Sequence, residues 1–318
     1  MSESERENSG DNWDRKILEK LALAAVQEQR RARHWGIFFK LLLFLYLFAL
    51  LFIAMGWFGK KETLPGKHTA LVEIRGVIAA DGTASADNVM AGLREAFKDS
   101  GTQGVILRIN SPGGSPVQAG YINDEIKRLR TKYPRIPLYA VVEDMCASGG
   151  YYIAVAADRI YVDKASIIGS IGVLMDGFGF TGLMDKLGIE RRLLAAGENK
   201  GFLDPFSPIR ESQKEYAEKM LADIHQQFIS VVRQGRGKRL KETPEMFSGL
   251  LWIGQKSIDL GLADAMGSVD YVAREVIKAE DIVDYTPREN IAERVAKKFG
   301  AAMAETLMRL AGPNAALR

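Results

Sequence analysis

An unbroken run of 18 uncharged residues, Leu41 to Phe58 (LLLFLYLFALLFIAMGWF), constrains this chain more than any other feature. A helix through it, extended back over Trp35 to Phe39 across Lys40, is long enough for a hydrocarbon core of about 30 Å. Lys40 sits near one end, where its stem can lie in the apolar layer and its ammonium among headgroups. Trp35 and Trp57 flank the run as interfacial aromatics do. A cleaved signal peptide is the main competitor, but the 34 residues before Trp35 are too long for its charged leader and no clear A-x-A site follows. A buried core helix fits less well still. Arg30, Arg31, Arg33 and Lys40 lie before or at the start of the run and Lys60 and Lys61 after it. That small bias favours a cytoplasmic N-terminus.

The remaining length is enough for one or two globular domains, since 47% of the 318 residues are hydrophobic and 26% charged. A net charge of +3, with no basic stripe interleaved with aromatics, argues against a nucleic-acid partner. Cys146 is the only cysteine, so no disulfide can form within the chain, and an oxidising compartment is neither indicated nor excluded.

Residues 1–13 are polar and are predicted to be disordered. Residues 14–34 read as a helix leading into the span at 35–58, and 59–67 as the linker out of it. A folded domain is expected over 68–275, followed by a helical extension over 276–318. Strands are predicted at 69–78, 104–110, 137–143 and 159–163. Helices are predicted at 84–100, with Val89, Leu93 and Phe97 on one face, at 116–132, at 210–234, and at 289–311. This alternation of strand, turn and helix predicts an α/β domain with covered sheets.

Two glycine-rich turns each follow a buried strand: RINSPGGS (108–115) and EDMCASGG (143–150). Backbone amides at such turns can hold a developing oxyanion. Ser148 heads the helix after the second turn, so its hydroxyl is either a nucleophile or a helix cap. A histidine base is improbable on position. His34 precedes the membrane run, His68 starts the first strand, and His225 reads as a surface or flanking residue of a long helix. The other available base is a lysine whose burial favours the neutral amine. Most lysines lie in charged, helical company. Lys200 lies in AAGENKGFLDPFSP, with Phe202, Leu203 and Phe206 just after it, and is either that base or a surface loop lysine.

The set NSPGGS, CASGGYYIAVAADRIYV, IIGSIGV and GENKGFLDPFSP resembles the signal peptide peptidase A (SppA) family in its short, single-repeat form, over roughly residues 68 to 275. The resemblance implies a ClpP/crotonase-like α/β fold of repeated β-β-α units with covered sheets, preceded by one transmembrane helix. It implies a serine endopeptidase with Ser148 as nucleophile, Lys200 as general base and Ser170, in GSIG, orienting the lysine. The amides of Gly114 and Gly149 match the family's oxyanion hole, with Gly113 a close alternative. No cofactor or metal is implied. The implied substrates are cleaved signal peptides and other apolar peptides at the bacterial inner membrane, with the catalytic domain on its outer face. In the family's long form the serine and lysine come from two halves of a duplicated chain. A chain without an internal repeat would need a neighbouring subunit instead, and the resemblance implies a homo-oligomer of about eight.

Overall fold

A computed structural model describes residues 3–54 and 66–287. The chain divides into an N-terminal unit that contains one long helix and a compact unit spanning Thr63–Arg288. The helix, α1 (Glu3–Ala54), takes in residues 14–34 and the span as far as Ala54 in one piece. It also takes in most of the segment predicted to be disordered. Extending an existing helix needs no new nucleus. Within it, Val26–Phe52 is the one helical stretch among the described residues long and apolar enough to cross a membrane. Met55 to Phe58, the end of the predicted span, lie outside the described residues.

The compact unit is built on a mixed sheet with helices on its faces. Its strands are β1 (His68–Arg75), β2 (Thr102–Ser111), β3 (Leu138–Ala147), β4 (Arg159–Val162), β5 (Ile167–Gly169), β6 (Leu251–Ile253), β7 (Ala265–Met266) and β8 (Ile282–Asp284). The main path runs β6-β5-β3-β2-β1-β8, and β4 pairs with both β3 and β7. All pairs are parallel except β5 with β6. Parallel strands need crossovers, and helices α2 (Ala86–Lys98) and α3 (Pro116–Lys132) supply the first ones. Because both faces are covered, the strands read as nearly continuous apolar runs rather than alternating ones. Val72, Ile74, Leu107, Ile109, Ala140 and Val142 face the core under α2, α3, the short α4 (Gly149–Ala154) and, after the exposed α5 (Thr181–Leu187), α6 (Glu211–Arg236). Leu71, Ile106 and Val141 face the other way, against Val272 and Ala273. The predicted face of α2 is buried as expected at Val89, Leu93 and Phe97.

The sheet continues beyond residue 275. Strand β8 pairs with β1, and the Tyr285 amide donates to the Leu71 carbonyl at 2.8 Å. Sequence pattern had placed these residues in the C-terminal extension, because a three-residue strand carries too little periodicity to register. The predicted helix over 289–311 lies outside the described residues.

One buried ion pair fixes β4 against the end of α6. Arg236 is 1% exposed and grips Asp264 with both Nη atoms, at 2.8 and 2.9 Å. Its Nε donates to the Gly261 carbonyl at 2.8 Å, and Asp264 also accepts from the Ile160 amide on β4 at 2.7 Å. Burial alone would push the Asp264 carboxyl up. The hydrogen bonds and charge of Arg236, with the Ile160 amide and the charge of Arg239, outweigh it and hold the group below its usual range. A carboxyl depressed in the folded state stabilises above its unfolded value, and the contribution is lost as pH falls through the folded one. Asp264→Ala strands a buried guanidinium and is expected to cost about 3–5 kcal/mol at neutral pH. The deficit relative to wild type should narrow as pH falls from the ordinary carboxylate range toward the depressed native one, because the unfolded wild-type chain then takes up the proton first. Urea unfolding of the detergent-solubilised chain across pH measures both; a loss under about 1 kcal/mol at neutral pH would mean the pair is not structural.

Candidate active site

Strand β3 changes partner partway along. Tyr139 to Val141 pair with Arg159 to Tyr161 of β4, and Met145 to Ala147 pair with Ile167 to Gly169 of β5. Between these segments the β2–β3 register slips, so that Ile109 faces Val142 but Ser111 faces Cys146. The extra residues of β3 form a bulge. Asn110 Nδ2 holds it by donating to Asp144 at 2.8 Å, as does an ion pair from Arg75 to Glu143 at 3.2 Å. The chain then turns sharply at Ser148 into α4.

Ser148 has φ 50° and ψ −120°. A non-glycine residue there costs about 1–3 kcal/mol and persists only when its surroundings over-determine it. Its amide donates to the Gly169 carbonyl at 2.8 Å, and its carbonyl accepts from Tyr152 at 2.9 Å. The backbone thus starts the helix while the side chain makes no capping bond. The helix-cap reading of Ser148 is therefore set aside: the hydroxyl is half-buried and uncommitted. A serine on a strained strand-to-helix turn is the arrangement that presents a nucleophile.

The first glycine turn packs against this serine. A methyl group built on Gly113 would lie 2.7 Å from Ser148 Cβ and 2.8 Å from the Gly149 amide nitrogen, and Gly113 has φ +103°. No side chain fits there. Two backbone bonds dock the turn on Ile78: its amide donates to the Gly113 carbonyl and its carbonyl accepts from Ser115, both at 2.8 Å. In such a parallel bridge the residue between, Gly114, aims its own amide away from Ile78. That direction is toward Gly149, where an added methyl would meet the Gly114 nitrogen at 3.3 Å. The Gly113 amide, by contrast, is taken by buried Ser111 Oγ at 3.1 Å. Of the sequence candidates, Gly114 and Gly149 have amides without a partner among the described residues, and Gly113 does not.

Ser170 follows Gly169, and Gly169 is the register partner of Ala147. Ser148 and Ser170 therefore stand at equivalent positions on neighbouring strands, whose spacing is about 5 Å. Ser170 also has φ 50°, with its amide on the Leu250 carbonyl at 2.8 Å.

No hydrogen bond among the described residues joins Lys200 to this pair. Its side chain is exposed, and its ammonium makes no hydrogen bond or ion pair with any described residue. The expected apolar surround is not met within one chain. The aromatics of the loop pack elsewhere: Phe206 stacks on Phe180 at 5.3 Å and Phe202 meets Tyr216 edge-on at 5.8 Å. Leu194, just before the loop, is 96% exposed, and Leu174 is 82% exposed.

The histidines divide differently from expectation. His68 is buried, with Nε2 2.9 Å from Tyr285 Oη. His225 is half-buried, and its Nε2 lies 3.1 Å from the Ile171 carbonyl, one residue beyond Ser170. The signal for it was present: His225, Phe228, Ile229 and Val232 follow helical spacing, and the last three are buried. Cys146 is fully buried, and burial pushes its thiol up, so it is inert packing.

Residues 130–283 match the model of Peptidase family S49. The Na(+)/H(+) antiporter NhaA of Brucella abortus is 40% identical over 220 residues, 66% of this chain, but the chain spans only 30% of that protein's length. The slr0021 protein of Synechocystis sp. is 30% identical over 207 residues, covering 65% of this chain and 72% of that one. The chloroplastic serine protease SPPA of Arabidopsis thaliana is 29% identical over 203 residues, 63% of this chain and 29% of that one.

The tight approach at Gly113 is directly measurable. Gly113→Ala combines backbone strain with a steric overlap and is expected to cost about 2–5 kcal/mol in urea unfolding. Gly177→Ala, where nothing lies within 4 Å, should stay within about 0.5 kcal/mol. Equal effects at the two glycines would contradict the packing of the turn on Ser148.

Proposed function

Because this chain belongs to peptidase family S49, a family of serine peptidases, we propose that it is a membrane-anchored serine endopeptidase that degrades cleaved signal peptides and other apolar peptides. The observation that carries the reading is the Ser148 hydroxyl: held on a strained turn, left out of helix capping, and set beside two free amides. Ser148 Oγ attacks the scissile carbonyl and passes its proton to the neutral amine of Lys200. The carbonyl oxygen takes up the electron pair and is held by the Gly114 and Gly149 N–H groups. Collapse of this intermediate expels the amine product, which takes the proton from Lys200 and leaves an acyl-Ser148. Water, deprotonated by the same lysine, attacks the ester; the second intermediate collapses, the acyl product leaves as a free acid and the lysine returns its proton to Ser148 Oγ. Ser170 accepts a hydrogen bond from the lysine nitrogen and so aims its lone pair at Ser148.

The lysine is supplied by a neighbouring copy. The exposed Lys200, without a hydrogen-bond or ion-pair partner among the described residues, and the outward-facing Leu174 and Leu194 support this reading. A heterologous contact of this kind repeats around an axis and closes into a ring, with about eight subunits implied by the family resemblance. The apolar part of α1 anchors the assembly in a bacterial inner membrane, the N-terminus cytoplasmic and the catalytic units on the outer face. Substrates left in that bilayer are apolar, and an extended segment of one can pair with sheet edge near Ser148.

A synthetic signal peptide incubated with the detergent-solubilised enzyme should be cut within its apolar core. Ser148→Ala and Lys200→Ala should each lower turnover by about 10³-fold or more. Lys200→Arg should not restore it, because guanidinium keeps its proton. Fragment analysis by mass spectrometry checks this, and strong turnover by the arginine variant would contradict a lysine base.

Co-expression tests the shared site. Ser148→Ala and Lys200→Ala subunits, each inactive alone, should recover part of the activity when co-assembled. Mixed oligomers that stay inactive would place serine and lysine in one chain.

A further inference from the structure

The loop that carries Ser170 is built around one peptide unit, that between Ile171 and Gly172. Its N–H donates to the Ser170 carbonyl at 2.9 Å, closing a three-residue turn. Its C=O lies 3.1 Å from His225 Nε2. A carbonyl only accepts, so Nε2 carries the proton, and it does so in the neutral Nε2–H ring and in the imidazolium alike. Both polar ends of the peptide are therefore held. The N–H bond comes from inside the turn and moves with it. The His225 bond comes from α6, an element 54 residues away in sequence. Among the described residues, no other side chain hydrogen-bonds residues 169–172.

The position of His225 is itself rigid. Phe228, Ile229 and Val232, on the same face of α6, are 5%, 6% and 0% exposed, and Phe228 packs on Tyr152 of α4 at 5.2 Å between ring centres. The helix that follows Ser148 and the turn that holds Ser170 are thus referenced to one helix, α6. Ser170 needs such a reference. At φ 50° it occupies a costly region, and release of the Ile171 carbonyl would let the turn relax and swing the hydroxyl.

We propose that His225 is a positioning residue of this site: by fixing the Ile171 carbonyl it sets the direction of the Ser170 hydroxyl relative to Ser148. The effect on turnover rests on the proposed role of Ser170 in orienting the lysine; the effect on the turn does not.

The test uses the full-length assembly with His225→Leu, which removes the donor, and His225→Gln, whose side-chain amide keeps one at similar reach. Hydrogen exchange at the Ser170 and Gly172 amides reads the turn directly. It should speed up about tenfold or more in the leucine variant and stay near wild type in the glutamine variant. Turnover of a signal peptide should show kcat lowered about tenfold by leucine with KM within about twofold, and largely restored by glutamine. In a Ser170→Ala background the leucine change should add almost nothing, since two residues acting through one hydroxyl are not additive. Unchanged exchange in the leucine variant, an equal kcat loss with glutamine, or a full additional loss in the Ser170→Ala background would each overturn the proposal. Altered exchange together with turnover that survives Ser148→Ala would uphold the role of His225 in the turn and overturn the peptidase reading instead.

Discussion

Strand β3 pairs with β4 along its first half and with β5 along its second, and the candidate site depends on that change of partner. If β3 kept one partner throughout, the strand would run straight and Ser148 would enter its helix without strain. The bulge at Glu143 and Asp144 absorbs the extra residues, and the pairing of Ala147 with Gly169 brings Ser170 up beside Ser148. The turn at Gly113 and Gly114 then closes from the other side, anchored on Ile78. Strand pairing on one side and the bridge to Ile78 on the other therefore converge on one serine. The buried Arg236–Asp264 pair ties β4, one of the two partners of β3, to the end of α6.

Much of this was legible in the sequence because burial leaves a pattern. Val89, Leu93 and Phe97 announced the inner face of α2, and the two glycine turns announced places where backbone must approach backbone. The division of labour between Gly113 and Gly114 was not legible. It depends on Ser111 Oγ occupying one amide, a contact that spacing does not encode. The start of α1 was misread because a polar composition resembles a disordered tail, while a helix already nucleated can run through such residues. His225 was passed over because a lone histidine in a charged helix looks like surface, although its spacing to Phe228 and Val232 marked the buried face.

Lys200 shows a different limit. Its sequence neighbours are apolar and suggested a desolvated amine, yet Phe202 and Phe206 pack against Tyr216 and Phe180 and leave the lysine in solvent. Apolar neighbours in sequence do not make an apolar environment in space. On the proposed reading, a serine nucleophile whose base is exposed in the same chain is half a catalytic centre. Completing it from a neighbouring copy would tie activity to assembly, so that a lone subunit in the bilayer stays inert.

The central claim is that Ser148 is a nucleophile activated by Lys200, and covalent capture tests it most directly. The solubilised oligomer would be treated with a fluorophosphonate, digested, and the modified residue located by tandem mass spectrometry. The account predicts one phosphonylated residue, Ser148, with labelling lost in Lys200→Ala and kept in a variant at an unrelated serine such as Ser248→Ala. A label on any other serine, or labelling of Ser148 that proceeds unchanged without Lys200, would contradict it.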